Sequence, residues 1–311
     1  MNSVVVTGGA GFIGSHLADE LVRQGYQVIV LDDLSTGKKE NIEGLLASSR
    51  AGSVRFIKDN ITNLPMLRRL FSGVDYVLHL AAIASVPGSI QDPLFSHGVN
   101  LTGTLNVLLA AKENRVKKVI CASSAAVYGD TATLPHSEDM IPNPQSPYAV
   151  NKLAMEYYCE VFQKVYDLKT VCLRFFNVYG PRQDPNSQYA AVIPKFISII
   201  LAGKVPVIFG DGKQTRDFVF IKDAVEAFIT AAVSGATGVF NIGTGDAVTI
   251  DELTALIIKV TGKDMIPVYR EARPGDIKHS LADISRARAF GYRPKYSLEE
   301  GLKETIRFTL K

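Results

Sequence analysis

The sequence predicts an α/β protein with a doubly wound parallel sheet and a smaller, mixed α/β lobe toward the C-terminus. Short runs rich in Val, Ile and Leu indicate buried parallel strands. Longer segments with apolar residues at helical spacing lie between them, which is typical of repeated βαβ units with right-handed crossovers. The predicted strands cover residues 3–7, 27–31, 54–58, 75–79, 118–121 and 170–173.

Helices are predicted where apolar residues recur every three or four positions. They cover residues 13–24, 93–114 and 147–166, and the last two are unusually long. No internal repeat is visible in the sequence, so a solenoid is not expected.

The element pattern changes after about Gly180, where Gly and Pro residues separate shorter helices and strands. We therefore expect one domain over residues 1–180 and a second lobe over residues 181–311. Strand and helix patterns return within 215–245, and part of that stretch is expected to rejoin the first domain.

Composition excludes several classes of protein. The 311 residues are 47% hydrophobic and 21% charged, as in globular enzymes. A net charge of +3 without a long basic run predicts no nucleic-acid partner. No apolar run approaches 18 residues and no signal-peptide pattern opens the chain, so no membrane association or secretion is expected. Three cysteines lack the spacing of a zinc or dithiol site, which predicts no metal and a reducing, cytoplasmic location.

A glycine-rich turn, TGGAGFIG at residues 7–14, follows the first predicted strand and precedes the first predicted helix. Its glycines allow a tight turn and close approach of a pyrophosphate, which then lies at the positive end of the helix dipole. This context favours a dinucleotide-binding Rossmann turn over an ordinary strand-to-helix turn. The residues expected to border the cofactor here are Gly8, Gly11, Phe12, Ile13 and Gly14.

Asp32 ends the second predicted strand, where a carboxylate can bind both ribose hydroxyls of NAD. The neighbouring residues include no arginine for a 2′-phosphate, so NAD is favoured over NADP. A turn aspartate that caps the following segment is the alternative. Further candidates for the cofactor site are Asp33, Ser35, Thr36 and Gly37 after this strand, and Asp59 and Ile61 at the adenine end.

Tyr148 and Lys152 are spaced i, i+4 at the start of a predicted helix, so they share a face. Ser124 ends a strand at the same carboxyl edge of the sheet, where nucleotides bind. The free phenol has a pKa of about 10, which a neighbouring ammonium and the nicotinamide ring would lower. Tyr148 is therefore the candidate base, Ser124 stabilises developing charge, and Lys152 also holds the nicotinamide ribose. The alternative is an amphipathic helix that merely exposes a Tyr and a Lys.

These motifs together resemble the extended short-chain dehydrogenase/reductase superfamily, and most closely its nucleotide-sugar 4-epimerases. The resemblance covers essentially the whole chain and rests on TGGAGFIGSH, Asp32, Leu80-Ala81-Ala82, Asn100, Ser123-Ser124, Tyr148-x-x-x-Lys152 and RFFNVYGPRQDP. It implies that Leu80, Ala81, Ala82, Asn100 and Ser123 line the NAD site. It also implies a UDP-sugar substrate held by Ser85, Phe175, Asn177, Val192, Val207, Phe209, Gln214, Arg216, Arg273, Asp276 and Ser280.

Charge supports the substrate-binding residues, because the diphosphate of a nucleotide sugar needs cations or N–H donors. Arg216 and Arg273 adjoin strand-like or turn segments of the second lobe, and Arg273 with Asp276 forms a candidate clamp. Structural ion pairs of these arginines with Asp217 or Asp276 remain the alternative.

The resemblance also bears on the reaction. Related dehydratases and decarboxylases carry acidic groups after the serine or threonine, whereas this chain has Ala125 and Ala126. Epimerisation at C4, with NAD retained through turnover, needs no further group. Ser280 stands where a large aromatic would exclude an N-acetyl group, so UDP-N-acetylglucosamine is favoured beside UDP-glucose.

Three alternatives remain open. The chain could be another enzyme of the superfamily, such as a UDP-glucuronate 4-epimerase or a dTDP-sugar enzyme. A non-catalytic NAD-binding regulator is a further possibility, although it would be expected to lack Tyr148 or Lys152. The resemblance implies a homodimer formed through helices 93–114 and 147–166, and the alternative is that both helices only cover the sheet.

Overall fold

The computed structural model describes residues 2–48, 52–185, 191–272 and 277–310. Its strands are β1 (Ser3–Thr7), β2 (Gln27–Asp32), β3 (Val54–Lys58), β4 (Tyr76–His79), β5 (Lys118–Ser124), β6 (Thr170–Phe175), β7 (Asn177–Tyr179), β8 (Val207–Phe209), β9 (Thr215–Arg216), β10 (Phe218–Phe220), β11 (Gly238–Ile242), β12 (Val248–Thr249) and β13 (Val268–Arg270).

The helices are α1 (Phe12–Arg23), α2 (Glu40–Ser48), α3 (Leu64–Leu70), α4 (Val86–Gln91), α5 (Pro93–His97), α6 (Thr104–Glu113), α7 (Pro147–Tyr166), α8 (Val192–Leu201), α9 (Ile221–Val233), α10 (Ile250–Thr261), α11 (Ser285–Ala289) and α12 (Leu298–Thr309). A π-helical turn, Gly98–Gly103, joins α5 to α6, and a 3-10 helix, Ala125–Tyr128, follows β5.

A seven-stranded parallel sheet forms the centre of the molecule, in the order β11-β6-β5-β4-β1-β2-β3. β2 and β3 lie on one side of β1, and β4, β5, β6 and β11 lie on the other. The order therefore reverses between β1 and β4, which is where ligands bind in sheets of this kind. The prediction of a doubly wound Rossmann sheet is confirmed.

Apolar side chains cover both faces of the sheet. On one face, Leu17 of α1 and Phe228 of α9 belong to a large buried cluster with Val4 and Val30. On the other face, side chains of α3, α6 and α7 pack with Val5, Val77 and Val119. Because neighbouring residues along a strand point to opposite faces, strands buried on both sides are continuously apolar, as their sequences are.

The observed elements differ from the predictions mainly at their ends. β5 extends to Ser124 and β6 to Phe175, beyond the predicted ends at 121 and 173, because backbone pairing continues there although polar side chains interrupt the apolar pattern. The predicted helix 93–114 is interrupted by the wider turn Gly98–Gly103. Gly103 packs against Ile61 so closely that a Cβ there would lie 2.5 Å from Ile61 Cδ1.

The C-terminal lobe is small and mixed, as predicted. β8 pairs with β13 in parallel, β9 pairs with β12 in antiparallel fashion, and α8, α10 and α12 contribute buried side chains around them. β11 joins the edge of the central sheet beside β6, and α9 packs on α1. The division at residue 180 stays a prediction.

Within the part of the chain that the structure describes, no helix combines the length and apolar character needed to cross a bilayer.

Candidate active site

The glycine-rich turn lies between β1 and α1 and is too tightly packed for other residues. Gly8 has φ +69°, and a Cβ on it would lie 2.7 Å from the amide nitrogen of Ala81. A Cβ on Gly14 would lie 2.2 Å from the carbonyl oxygen of Gly8. α1 begins after Gly11 with no side-chain cap, so its first N–H groups are available to an anion. The turn therefore fits a dinucleotide pyrophosphate.

Asp32 is held at the end of β2, directly beside this turn. Its carboxylate accepts hydrogen bonds from the amides of Ala10 (2.9 Å) and Leu34 (2.8 Å), which fix its orientation. Burial raises its pKa, and these two hydrogen bonds oppose the rise. A Cβ on Gly37 would lie 2.7 Å from Asp32 Oδ1, so a larger residue there would displace this carboxylate. A fixed carboxylate with lone pairs remaining suits the ribose hydroxyls of NAD.

The loop after β4 is fixed by buried polar side chains. Thr7 Oγ1 forms a hydrogen bond with His79 Nδ1 at 2.7 Å and accepts one from the backbone amide of Ala81 at 3.3 Å. Asn100 accepts from the amide of Ile83 at 2.7 Å and donates to its carbonyl at 2.9 Å. Asn100 therefore positions the segment that contains Leu80, Ala81 and Ala82, the expected wall of the NAD site.

Tyr148 and Ser124 come together at the carboxyl edge of the sheet. Ser146 caps α7 and accepts from the amide of Ala149 at 3.2 Å, so Tyr148 lies in the first helical turn. Its side chain lies close enough to that of Ser124 for the two to interact. Burial raises the pKa of Tyr148, and the interaction with Ser124 opposes the rise.

Lys152 lies one turn further along α7, in the position expected for the catalytic lysine. Its Nζ donates to the carbonyl oxygen of Ala122 at 2.7 Å and lies 5.7 Å from the centre of the Tyr148 ring. Burial lowers the pKa of Lys152 to about 8. Burial of the phenol sets the upward direction of the Tyr148 pKa in the protein alone, and the lowering expected from Lys152 and the nicotinamide ring stays a prediction.

A cavity of about 510 Å³ opens in the C-terminal lobe, between α8, β8, β9 and β13. Six of the predicted substrate residues line it, namely Asn177, Val192, Val207, Phe209, Gln214 and Arg216. Among the described residues of its lining, Lys195, Arg216 and Arg270 are cationic and none is acidic. Apolar walls with several cations suit a nucleoside diphosphate.

Two lining cations were not predicted from the sequence. Arg270 ends β13 and stands opposite Phe209 of β8 in the strand register, which no local pattern reveals. Lys195 follows Val192 by three residues on α8, and this i, i+3 spacing was a usable signal that the two share a face.

Other predicted substrate residues have different surroundings. Ser85 caps α4 by accepting from the amide of Gly88 at 2.9 Å. Phe175 stacks on Phe228 in the core, with ring centres 5.2 Å apart. Ser280 is buried and bonds through its amide to the Thr215 carbonyl. Arg273 and Asp276 lie outside the described residues, so the clamp they were expected to form stays a prediction.

Several cofactor candidates also have partners within the protein. The Ser123 hydroxyl is buried and donates to Glu156 Oε1. Ser35 and Thr36 are exposed beside Asp32, and Ile61 is buried beneath Gly103. Asp33 accepts from Asn60 Nδ2, while Asp59 accepts from the amide of Asn60 and the side chain of Asn63. Their contacts with NAD stay predictions.

The alternative for Arg216 was a structural ion pair with Asp217, and the structure gives hydrogen-bond partners for both residues. Arg216 Nη1 donates to the carbonyl of Thr215 at 2.8 Å. The carboxylate of Asp217 accepts from the amide and hydroxyl of Thr244 and from the amide of Gly245, and so fixes the loop after β11.

Comparison with known proteins identifies the family of the chain. Residues 4–243 match the model of the NAD dependent epimerase/dehydratase family. A UDP-glucose 4-epimerase of Mycolicibacterium smegmatis is 40% identical over 308 residues, which are 98% of this chain and 97% of the relative.

Solved structures agree over the whole chain. A UDP-N-acetylglucosamine 4-epimerase from Methanobrevibacter ruminantium, in complex with UDP-N-acetylmuramic acid, has a TM-score of 0.95 at 45% identity and covers 99% of this chain and 98% of its own. A UDP-glucose 4-epimerase from Thermotoga maritima, with UDP-glucose, has a TM-score of 0.93 at 42% identity and covers 99% and 100%. The expected superfamily and cofactor are confirmed: the chain belongs to the NAD dependent epimerase/dehydratase family of extended short-chain dehydrogenases/reductases.

Proposed function

We propose that this enzyme is a UDP-sugar 4-epimerase that interconverts UDP-N-acetylglucosamine with UDP-N-acetylgalactosamine, and UDP-glucose with UDP-galactose. The neighbouring side chains of Tyr148 and Ser124 carry the proposal, because together they can bind the C4 oxygen of a sugar. The cationic cavity of the second lobe suits the diphosphate of the same substrate.

The residues around the glycine-rich turn fit NAD, which would be held by the N–H groups of the turn, by Asp32 and by Lys152. The chemistry that NAD supplies when bound is reversible hydride transfer at C4 of the sugar. Net oxidation is zero over a full epimerisation, so NAD is expected to stay bound between turnovers.

Tyr148 moves the proton of the reaction. It takes the proton of the C4 hydroxyl as the sugar becomes a ketone and returns it when the alcohol forms again. Ser124 donates to the same oxygen and stabilises charge that develops there. Because the Tyr148 and Ser124 side chains already lie close together, one sugar oxygen can contact both.

The residues after Ser124 favour epimerisation over elimination. Ala125 and Ala126 open the 3-10 helix next to the site, where a dehydratase or decarboxylase needs acidic groups. Neither methyl side chain can remove a proton from C5 or assist loss of a leaving group. The ketone is therefore reduced again, from one face or the other, while the cavity retains the nucleotide.

Two observations bear on the sugar preference. The resemblance places Ser280, a small side chain, where a large aromatic would exclude an N-acetyl group at C2, and the related structures named above include a UDP-N-acetylglucosamine 4-epimerase and a UDP-glucose 4-epimerase. An open pocket admits both substituents, because a pocket rejects a smaller group only weakly. We therefore propose dual activity with N-acetylhexosamines included.

The test is to incubate purified enzyme, without added NAD, with UDP-glucose, UDP-galactose, UDP-N-acetylglucosamine or UDP-glucuronate, and to follow C4 inversion by NMR. Inversion of the first three without NADH accumulation is expected. Turnover of UDP-glucuronate alone would favour that 4-epimerase instead. If all four stay unchanged with NAD added, although nucleotide sugar binds, the proposal is wrong and dTDP-sugars are tested next.

We also propose that the enzyme is a homodimer. α7 exposes Tyr157, Val161 and Val165 in one stripe at i, i+4, i+8 spacing, and α5 exposes Leu94 and Phe95. Contiguous apolar surface of this kind is typical of interfaces between subunits.

Sedimentation at micromolar concentration should give twice the chain mass, and Val161→Lys with Val165→Lys should give monomer. Ile266→Lys, at an exposed apolar position elsewhere, serves as the control and should leave the dimer intact. A wild-type monomer would show that these helices only cover the sheet.

A further inference from the structure

One face of α7 carries a third polar residue that the catalytic scheme does not use. Glu156 follows Tyr148 and Lys152 at i+8 and i+4, so all three side chains lie in one row along the helix. Tyr148 and Lys152 face the reacting edge of the sheet. Glu156 is 4% exposed and lies further inside the protein.

Glu156 joins α7 to both neighbouring strands at one level. Its Oε1 accepts from the hydroxyl of Ser123 on β5. Arg174 of β6 donates to its two carboxylate oxygens, from Nε at 2.9 Å and from Nη2 at 2.7 Å. Ser123 and Arg174 stand opposite each other in the register of β5 and β6. Ser123 is the residue directly before Ser124, so this junction lies one residue from the site.

The junction extends toward the second lobe. Arg174 Nη1 donates to the hydroxyl of Tyr128 at 2.9 Å, and Tyr128 donates to Asn241 Oδ1 at 2.7 Å. Asn241 donates in turn to the carbonyls of His136 and Asp283. A buried ion pair of this kind is often no more stabilising than apolar residues of similar size, so a role in fixing geometry is the better explanation for it.

We propose that Glu156, together with Arg174, is a positioning residue of the epimerase, which holds α7 in register with β5 so that Tyr148 meets Ser124. The inference rests on the proposed function. Rotation or sliding of α7 by a fraction of a residue would move the Tyr148 hydroxyl away from Ser124 Oγ, while the nucleotide cavity between α8, β8 and β13 would be unaffected.

Glu156 also acts on Lys152 through charge. The groups around the ammonium are Tyr148 and Glu156 on α7, Cys121 on β5, Cys172 on β6 and His79 on β4. Burial lowers the pKa of Lys152, and Cys121, Cys172 and Glu156 oppose that effect. Loss of the Glu156 charge would leave Arg174 unpaired nearby and would make Lys152 lose its proton at lower pH.

The experiment compares Glu156→Gln, the double variant Glu156→Leu with Arg174→Met, and wild type. Glu156→Gln should lower kcat by roughly 10- to 100-fold with KM within about 3-fold, because misplacement by about 1 Å affects the chemical step more than binding. The alkaline limb of its pH profile should move to lower pH by roughly half a unit or more. The double variant has no unpaired charge, so it tests the geometry even if Glu156→Gln fails to fold.

Glu160→Gln is the matched control, because Glu160 lies one turn further on the same helix, is exposed, and pairs with Lys164. It should keep wild-type kcat and pH profile. A folded double variant with wild-type kcat would overturn the proposal, as would a Glu156→Gln variant that differs only in thermal stability.

A readout without substrate separates this proposal from the proposed function. Calorimetry of NAD binding across pH 6 to 10 reports the charge of Lys152. The fall in NAD affinity at alkaline pH should therefore occur at lower pH in Glu156→Gln. If wild type epimerises no UDP-sugar, the function is wrong while this shift still decides the effect of Glu156 on Lys152. If wild type is active and the shift is absent, the coupling between Glu156 and Lys152 is wrong.

Discussion

The Nζ atom of Lys152 lies 5.7 Å from the centre of the Tyr148 ring and donates a hydrogen bond of 2.7 Å to the carbonyl oxygen of Ala122. The lysine is thus anchored to β5 and not to the phenol. Its ammonium lies over the phenol ring, and its anchoring carbonyl lies two residues before Ser124. β5 therefore fixes both residues next to Tyr148, since it contains Ser124 and binds Lys152 through the Ala122 carbonyl.

Replacement of Tyr148 by Phe should remove the proton carrier and little else. The ring keeps its packing, so folding and NAD binding should be retained, while kcat should fall by about 10²- to 10⁴-fold. Single-turnover and steady-state rates with UDP-glucose measure the loss. Tyr157→Phe, on the exposed side of the same helix, should keep the wild-type rate. Equal rates for both variants would mean that another group moves the proton.

Activity should decline at alkaline pH because Lys152 loses its charge. Burial lowers the pKa of Lys152 to about 8 in the folded protein, so the ammonium is present below that pH and is lost as pH rises through it. A profile of kcat/KM from pH 6 to 10 should fall with a midpoint near 8. Lys152→Met should have low activity at every pH and no such limb. A limb that persists in Lys152→Met would assign it to a different group.

Local patterns were enough to predict the sheet and the proximity of Tyr148, Lys152 and Ser124. Val, Ile and Leu runs mark strands buried on both faces, and a glycine turn between strand and helix has one common use. Tyr148 and Lys152 were found because i, i+4 spacing on a helix is set by the chain itself. Their proximity to Ser124 followed from the rule that parallel strands place their carboxyl ends at one edge.

Residues brought together by tertiary packing were harder to predict. Arg270 reaches the cavity only because β13 pairs with β8 across a long stretch of sequence. The turn Gly98–Gly103 widens where Gly103 meets Ile61, and the sequence of that helix gives no sign of the contact. Phe175, expected near substrate by resemblance, stacks on Phe228 of α9, a contact that no local pattern indicates, and its contact with substrate stays a prediction.

The buried histidine of β4 should make the protein sensitive to acid. Burial lowers the pKa of His79 from 6.5 to about 4, and the ring bonds to Thr7 and Thr104. The unfolded chain takes up this proton near pH 6.5 and the folded one only near 4. The contribution of neutral His79 to the free energy of unfolding is therefore fully present above pH 6.5 and is lost as the pH falls from 6.5 to about 4. Since one pKa unit corresponds to 1.36 kcal/mol, the loss is about 3 kcal/mol.

Urea unfolding at several pH values measures this effect. His79→Gln should be less stable at pH 7 but should depend less on pH between 4 and 6.5. His97→Gln, at an exposed position, should follow the wild-type curve. A wild-type-like pH dependence in His79→Gln would assign the acid sensitivity to other groups.

The cavity cations should contribute to nucleotide binding and little to the chemical step. Arg270→Gln should raise KM for the UDP-sugar by about 10- to 100-fold, since hydrogen bonds to charged groups contribute about 1.5–3 kcal/mol, with kcat nearly unchanged. Titration with UDP by calorimetry should show the same loss. Arg55→Gln, on the exposed surface of β3, changes the net charge by the same amount as Arg270→Gln and should bind UDP with wild-type affinity. Equal affinities would place the diphosphate elsewhere.

Two helical glycines provide a matched test of the turn that we propose holds NAD. Gly14 lies in α1 and Gly44 in α2, so replacement by Ala gives each the same intrinsic gain of helix propensity, about 1 kcal/mol. A Cβ at position 44 meets no atom within 4 Å, whereas at position 14 it lies 2.2 Å from the backbone oxygen of Gly8.

Gly44→Ala should thus be neutral or slightly stabilising, while Gly14→Ala should lose about 1–3 kcal/mol of stability and bind NAD more weakly. Thermal unfolding with and without NAD measures both effects. The oxygen of Gly8 belongs to the backbone and cannot swing aside as a side chain could, so relief requires the whole turn to move. If Gly14→Ala kept wild-type stability and NAD affinity, the turn would have to be looser than its packing against Ala81 indicates.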